Sequence, residues 1–117
     1  MKLLDLHIYI ENIRGSYKHF ADTPEEYPVL GVTFPTHYGY IPGYKSEDGH
    51  DLDVFLGSGA IHGIIRVNRK FGIETKTILY VSQDEFDSIK KAYEPVTVEL
   101  KTLEETEMLS ILEKFKS

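Results

Sequence analysis

Much of this sequence consists of short segments with the residue pattern of β-strands, separated by glycine, proline and acidic residues. Residues 4–11 alternate strictly between apolar and polar side chains, which is the period of a strand with one buried face. Other segments are rich in aromatic and β-branched residues and end at glycine or proline, as short strands between turns do. The pattern predicts strands at residues 4–11, 33–41, 51–56 and 96–101, and a hairpin over residues 61–81 with Phe71 and Gly72 near its tip.

Two helices are predicted near the end of the chain. Ser82 followed by Glu85 is a capping box, so we expect a helix from residue 83 to about 93, stopped by Pro95. Thr102 and Glu105 repeat the pattern before a last helix, whose apolar stripe we expect to contact the core: Met108, Ile111, Leu112 and Phe115. Residues 12 to 29 lack a clear period and are predicted to be mostly loop. The predicted fold class is α+β, built on a small closed or nearly closed β-barrel with one or two C-terminal helices.

The size and charge of the chain limit its function classes. A chain of 117 residues fits one domain, 1–117. Its net charge of -6 argues against nucleic acid as the main partner and suits metal cations better. Cysteine is absent, which excludes thiolate chemistry, and no apolar run approaches ~20 residues. We therefore expect a cytoplasmic protein with no membrane partner.

An acidic turn at the entry to a strand is the most informative segment. Residues 47–53 hold four carboxylates and one imidazole in the order EDGHDLD. Hard divalent ions take oxygen ligands, and such a turn can bring Asp48 and Asp53 to one ion. Asp51 shares a strand face with Asp53 and is a further candidate ligand. A solvated acidic turn is the alternative, whereas the spacing of an EF-hand is missing.

The segments FPTHYGYIP (residues 34–42) and DGHDLDV (residues 48–54) resemble the signature of the family I soluble inorganic pyrophosphatases. Those enzymes carry YP-x-N-YGYI followed by DGD-x-x-DV. Upstream, IE at residues 10–11 and RGSYK at residues 14–18 resemble the opening of the family, and GIETK at residues 72–76 resembles its later G-x-D-x-K stretch. The resemblance covers about residues 8 to 82 and is most specific in its central block.

The resemblance implies an OB-like barrel and the hydrolysis of pyrophosphate to phosphate with magnesium ions. Position by position, it places three residues on the ligands of one metal: Asp48, Asp53 and Glu74. It places three others on phosphate-contacting positions: Lys18, Tyr38 and Lys76. Glu11 falls on an acidic position near the outer metals. The implied cofactor is Mg²⁺, with Mn²⁺ or another divalent ion as the alternative.

The sequence also departs from the family pattern. His50 stands where the family has the aspartate that activates water, so it is a base, a metal ligand or an inert exposed residue. Arg69 replaces a metal-binding aspartate; it either contacts phosphate or forms an ion pair with Glu74 across the hairpin. Tyr38 would by itself be a packing residue. Phe20 and Glu26 are further departures, and the later Tyr-Lys pair of the family has no clear counterpart.

These observations lead to two hypotheses. The first is a divalent-metal-dependent hydrolase of pyrophosphate or another phosphoanhydride, in which His50 activates the water. The second is a non-catalytic protein of the pyrophosphatase fold that binds a metal, a phosphate or nucleotide, or a protein partner. An OB-like nucleic-acid binder is disfavoured by charge. The family often oligomerises, so a homo-oligomer is compatible with either hypothesis.

Overall fold

The computed structural model describes residues 2–19, 31–69 and 72–117. Within these ranges the chain forms eight β-strands, two α-helices and two short 3-10 turns at Leu3–Asp5 and Glu94–Val96. The strands are β1 (Tyr9–Asn12), β2 (Tyr17–His19), β3 (Gly31–Thr33), β4 (His37–Lys45), β5 (Asp51–Leu56), β6 (Ile61–Arg69), β7 (Gly72–Val81) and β8 (Thr97–Leu103). The helices are α1 (Gln83–Tyr93) and α2 (Glu105–Phe115).

Six of the strands form one sheet in the order β1-β4-β5-β7-β6-β8, and β2 pairs separately with β3. Neighbouring strands in the large sheet are antiparallel except β5 and β7, which are parallel. The protein is thus α+β and mostly β, with two helices near the C-terminus, as predicted. Within the described ranges no pairing joins β1 to β8, so closure into a barrel stays a prediction.

The large sheet has a hydrophobic core on each side. Successive residues of a strand point to opposite faces, and Val54 and Phe55 accordingly belong to two separate clusters of buried residues. Ile89 of α1 packs in the cluster that contains Phe55. Met108 and Leu112 of α2 pack in the other. The predicted contact between the stripe of the last helix and the core is confirmed, and each helix covers one face of the sheet.

The prediction of a strand over residues 4–11 is wrong for its first half. Leu3–Asp5 is a 3-10 turn, and β1 begins only at Tyr9. Asp5 causes the difference, because its carboxylate accepts the backbone N–H of Lys2 (3.0 Å) and closes the turn locally. As a result Leu3 is buried, whereas Leu4, which the alternation placed on the buried face, is 77% exposed.

The boundaries of the next elements also differ from the predictions. Residues 17–19 were predicted to be loop but form β2, which pairs with β3. The predicted strand over residues 33–41 is divided between β3 and β4, because Pro35 has no backbone N–H to donate to a strand neighbour. Phe20 and Glu26 lie outside the described residues.

The hairpin and helix predictions hold, with two corrections. β6 and β7 form the predicted hairpin, but Arg69 pairs with Gly72 and Glu74 pairs with Val67, so Arg69 and Glu74 are not directly opposite. Phe71 lies outside the described residues. α1 has the predicted bounds, whereas the cap of α2 is Glu104 rather than Thr102, since β8 continues to Leu103 in its pairing with β6.

Glu85 connects the start of α1 to the turn after β5. Its carboxylate accepts hydrogen bonds from the backbone N–H groups of Ser82 (2.7 Å) and Ser58 (3.0 Å) and forms an ion pair with Arg14. The N–H of Glu85 donates to the hydroxyl of Ser82 (3.1 Å), which completes the predicted capping box. Glu85 is 5% exposed, so these donors stabilise its charge in place of water.

Replacing Glu85 with alanine should lower the free energy of unfolding by about 2–4 kcal/mol, because two backbone N–H groups lose their acceptor. Equilibrium urea unfolding followed by circular dichroism measures the loss. Glu113→Ala, on the exposed side of α2, is the control and should change stability by no more than about 0.5 kcal/mol. Equal stability of the two variants would contradict the role given to Glu85.

Candidate functional site

The parallel pairing of β5 with β7 places an acidic and a basic residue side by side. Asp53 lies opposite Lys76 at the first position of this pairing. Along each strand the side chain two positions further on belongs to the core cluster on the α1 side of the sheet, namely Phe55 and Ile78. Asp53 and Lys76 share that face by alternation. Lys76 is only 2% exposed, so its positive charge lies at the border of a hydrophobic core.

Oxygen atoms surround the ammonium group of Lys76. Its Nζ donates hydrogen bonds to Tyr38 Oη (2.6 Å) and Asp53 Oδ2 (3.1 Å) and lies 3.2 Å from Glu74 Oε1. Tyr38 Oη donates in turn to Asp53 Oδ2 at 2.5 Å. An ammonium group has three hydrogens, and three oxygen acceptors are within reach of this one.

A second cation completes the group. Arg69 Nη1 lies 3.6 Å from Glu74 Oε1, so the ion pair, one of the two alternatives for Arg69, is present in the structure despite the different strand register. The phosphate contact stays a prediction. The formal charges of Arg69 and Lys76 balance those of Asp53 and Glu74. We call these four residues together with Tyr38 the lysine cluster.

Burial and charge together set the protonation states in the lysine cluster. Burial alone would lower the pKa of Lys76, but neighbouring Tyr38, Asp53 and Glu74 outweigh it and hold that pKa well above its usual value. Burial raises the pKa of Glu74, and Lys76 opposes that shift. Burial also raises the pKa of Tyr38 well above its usual value. At neutral pH the cluster therefore offers a fixed ammonium charge and a protonated phenol.

The acidic turn is attached to β7 at Thr75, whose side chain points to the face of the sheet opposite the lysine cluster. Glu47 Oε1 accepts the backbone N–H of Thr75 (3.1 Å), and Glu47 Oε2 accepts its hydroxyl (2.8 Å). Ser46 Oγ accepts the same N–H at 3.1 Å. Arg66 forms an ion pair with Glu47 Oε2 at 3.3 Å. Since Thr75 lies between Glu74 and Lys76 in sequence, these contacts hold the turn at the position where the pairing of β5 with β7 begins.

The remaining predicted site residues have no described contact with the lysine cluster. Asp48 Oδ1 accepts the backbone N–H of His50 (3.0 Å), which closes the acidic turn. Asp51 pairs with Lys45 at 2.9 Å. His50 is exposed, as are Glu11 on β1 and Lys18 on β2. The structure thus brings together Tyr38, Asp53, Arg69, Glu74 and Lys76, and the roles predicted for these and for the other residues stay predictions.

Two residues that the sequence analysis did not single out contribute to the site. Tyr93, at the end of α1, places its ring 5.9 Å from Lys76 Nζ, a distance that suits a cation–π contact. Glu47 attaches the acidic turn to β7. Both contacts join residues far apart in sequence, so local patterns could not reveal them.

The lysine cluster contains donor atoms of the type that a divalent ion binds, namely carboxylate oxygens. The carboxylates of Asp53 and Glu74 already converge on one cation, the ammonium of Lys76. Mg²⁺ usually takes one or two protein carboxylates and completes its shell with water and substrate phosphates. In the part of the chain that the structure describes, no group of three or more His, Asp or Glu side chains could hold a metal ion.

The fold and site define an α+β protein with a buried, charge-balanced cluster at the start of a parallel strand pair. Comparison with known families extends this description, because the Inorganic Pyrophosphatase family profile matches residues 1–94. The chain therefore belongs to the inorganic pyrophosphatase family.

A solved structure supports the fold. The crystal structure of an inorganic phosphatase from Anaplasma phagocytophilum matches with a TM-score of 0.51 and 14% sequence identity, over 95% of this chain and 88% of the other. No curated protein sequence matches the chain. In the described residues, neither helix is long and apolar enough to cross a membrane.

Glu47 should make the folded protein more sensitive to acid. Burial opposes the shift, but hydrogen bonds from its own backbone, Thr75 and Ser46, together with Arg66, hold the pKa of Glu47 below its usual 4.5. Its contribution to stability is therefore complete above the unfolded-state pKa and is lost as the pH falls through the lower folded-state pKa.

We expect Glu47→Gln to flatten the fall in stability below about pH 5, where carboxyl groups of unfolded chains begin to take up protons. Urea unfolding from pH 6 to pH 3 measures this slope in wild type and variant. Glu113→Gln on the exposed side of α2 is the matched control. If Glu47→Gln and Glu113→Gln had the same slope, Glu47 would not attach the turn in the way described.

Proposed function

We propose that this protein hydrolyses a phosphoanhydride, with pyrophosphate as the first substrate to test, in a reaction that depends on a divalent ion. The observation that carries the proposal is the lysine cluster, in which Tyr38, Asp53, Glu74 and Lys76 contact one another. These are residues that the family resemblance assigns to phosphate and metal. Membership of the inorganic pyrophosphatase family supports a phosphoanhydride as the substrate.

Each residue of the lysine cluster has its own role in the proposed reaction. Lys76 and Arg69 supply positive charge to phosphate oxygens. The single O–H of Tyr38 donates to Asp53 in the structure and would donate to phosphate in place of that contact. Tyr38 and Tyr93 shield Lys76 from water on the core side, which strengthens its attraction to an anion. Lys18 is the further phosphate contact that the resemblance assigns. The OB-like barrel, a cytoplasmic location and a homo-oligomer belong to the proposal as well.

A divalent ion, Mg²⁺ or alternatively Mn²⁺, would neutralise phosphate charge and polarise the attacking water. The residues that would hold it are Asp53 and Glu74, with Asp48, Asp51 and Glu11 as the further ligands proposed from the sequence. His50 is proposed as the base that removes a proton from the water.

One observation favours the alternative, a non-catalytic pyrophosphatase-fold protein that binds a metal, a phosphate or nucleotide, or a protein partner. The described contacts of Asp48 serve its own turn, and His50 and Lys18 are exposed. A site without a positioned base can bind a ligand but lacks a group that activates water.

Purified protein should release phosphate from pyrophosphate when Mg²⁺ or Mn²⁺ is present. Asp53→Asn should lower kcat/KM by about 10²–10³-fold, since the change removes charge from the lysine cluster but preserves shape. Asp87→Asn, the same change on the exposed surface of α1, should be neutral. No release above a preparation from cells with an empty vector would exclude pyrophosphatase activity and leave the binding alternative.

The proposed base predicts a loss of rate. If His50 accepts the proton of the water, His50→Ala should lower kcat about 10²-fold or more. His7→Ala, a change of an exposed histidine near the N-terminus, should leave kcat unchanged. A wild-type kcat in His50→Ala would assign the base to another group.

A further inference from the structure

An open cavity lies on the face of the large sheet opposite the lysine cluster. It is lined by the start of β6, the end of β8 and the first turn of α2, and its volume is about 640 Å³, which is a usual size for a ligand site. Ile64 of β6 belongs to the core cluster on the α2 side, and His62 shares that face by alternation. The cavity is therefore separate from the proposed phosphoanhydride site.

A β-bulge fixes the position of His62 in the wall of this cavity. The pairing of β6 with β7 shifts register between Ile61 and Gly63, where β7 has one residue more than β6. Tyr80 lies in this bulge with a φ of 52°, a conformation that is rare for a tyrosine. Its N–H donates to His62 Nδ1 (3.1 Å), and its ring packs edge-on against the imidazole with 4.6 Å between centroids. These contacts orient the imidazole.

The second ring nitrogen of His62 is available to a ligand. Because Nδ1 accepts the N–H of Tyr80, a neutral imidazole carries its proton on Nε2. Burial lowers the pKa of His62 below its usual 6.5, although Glu105 opposes the shift, so the ring is neutral at about pH 7. His62 is only 9% exposed, and in the described part of the chain Nε2 makes no hydrogen bond. Its N–H is thus a nearly buried donor at the cavity wall.

Carboxylates at the start of α2 give the cavity its negative charge. Glu105 Oε1 accepts the backbone N–H of Leu3 (3.2 Å), and Glu107 Oε1 accepts that of Glu104 (3.1 Å). The other oxygen of Glu105 and of Glu107 has no partner among the described residues. None of the described residues that line the cavity is lysine or arginine. The cavity therefore combines uncompensated negative charge with one N–H donor.

These groups favour an organic cation over a metal ion. Within the described ranges no group of three or more His, Asp or Glu side chains could hold a metal ion, and a protonated Nε2 has no lone pair for one. An ammonium group, in contrast, donates charge-assisted hydrogen bonds to carboxylate oxygens. The donor of His62 then requires an oxygen acceptor on the same ligand, because a buried N–H without an acceptor is costly.

We propose that this cavity binds a small organic amine that carries a carbonyl or hydroxyl oxygen beside its ammonium group. Glu105 and Glu107 accept hydrogen bonds from the ammonium, and His62 donates to the oxygen. Ile61 and Leu103, which also line the cavity, contact an apolar substituent of the ligand. The inference does not depend on the proposed hydrolysis, because it uses other residues on the other face of the sheet.

L-Leucinamide is the probe, since it joins an ammonium, a neighbouring carbonyl oxygen and an apolar side chain. NMR titration of isotope-labelled protein at about pH 7, where α-amino groups are largely protonated, gives its Kd. Two matched analogues lack one feature each: isocaproamide has no ammonium, and isoamylamine has no carbonyl. We expect leucinamide to bind at least about tenfold more tightly than either analogue and to shift the amide signals of Leu103 and Glu105.

Three results of this titration would overturn the proposal. The first is the absence of leucinamide binding. The second is an equal affinity for leucinamide and isocaproamide, which would show that the carboxylates do not recognise the ammonium. The third is a set of shifted signals centred on Lys76 instead of Leu103 and Glu105, which would place the ligand on the other face of the sheet.

Variants of two cavity residues make the test specific. Glu105→Gln preserves an acceptor for the N–H of Leu3 but removes the charge, so leucinamide should bind about tenfold more weakly. Glu113→Gln, on the exposed side of α2, should bind it as wild type does. His62→Asn preserves an acceptor for the N–H of Tyr80 but removes Nε2–H, so leucinamide should bind more weakly whereas the affinity for isoamylamine should not change. Wild-type affinity for leucinamide in folded Glu105→Gln, or an equal loss of both ligands in His62→Asn, would contradict the proposal.

Two further measurements complete the experiment. Circular dichroism reports whether each variant folds; if one does not, the three titrations of wild-type protein decide the question. Titration with Mg²⁺ alone tests the metal alternative, and tighter binding of Mg²⁺ than of leucinamide at the Leu103 and Glu105 signals would overturn the proposal. Phosphate release is not part of these readouts, so the amine site and the proposed function stand or fail separately.

Discussion

A buried ammonium group needs oxygen acceptors, and in this protein that requirement falls on Lys76. Its partners come from three strands: Tyr38 from β4, Asp53 from β5 and Glu74 from β7. A shift of one residue in the pairing of β5 with β7 would turn Asp53 to the opposite face of the sheet and leave Lys76 with fewer acceptors. The register in which β5 pairs with β7 therefore also determines which side chains form the site.

Local patterns predicted the elements whose structure depends on neighbours in sequence. The helix over Gln83–Tyr93 follows from the reciprocal cap of Ser82 and Glu85, and the hairpin of β6 and β7 follows from β-branched residues on both sides of a turn. The N-terminal strand was wrong because Leu3–Asp5 forms a turn in which Asp5 accepts the backbone N–H of Lys2 and Leu3 is buried. Alternation predicts which side chains would be buried if the segment were a strand. It does not show whether the segment forms a strand or a turn.

The site was predictable only in part, for a physical reason. The family resemblance selected Tyr38, Asp53, Glu74 and Lys76, and the structure places them in contact. No sequence pattern distinguishes a buried lysine from the surface lysines that are usual in strands. The attachment of the acidic turn to Thr75 was also hidden, since Glu47 looks like one more carboxylate of that turn until β7 is beside it.

The parallel pairing of β5 with β7 has a consequence for the order of folding. β6 and β7 can pair progressively from the end where they are connected, since each new pair of residues is close in sequence. Asp53 and Lys76 are 23 positions apart, so β5 can join only after a longer loop closes, which is the slower event. Until then Lys76 stays hydrated. The closure of this loop therefore both removes water from the ammonium and completes the site.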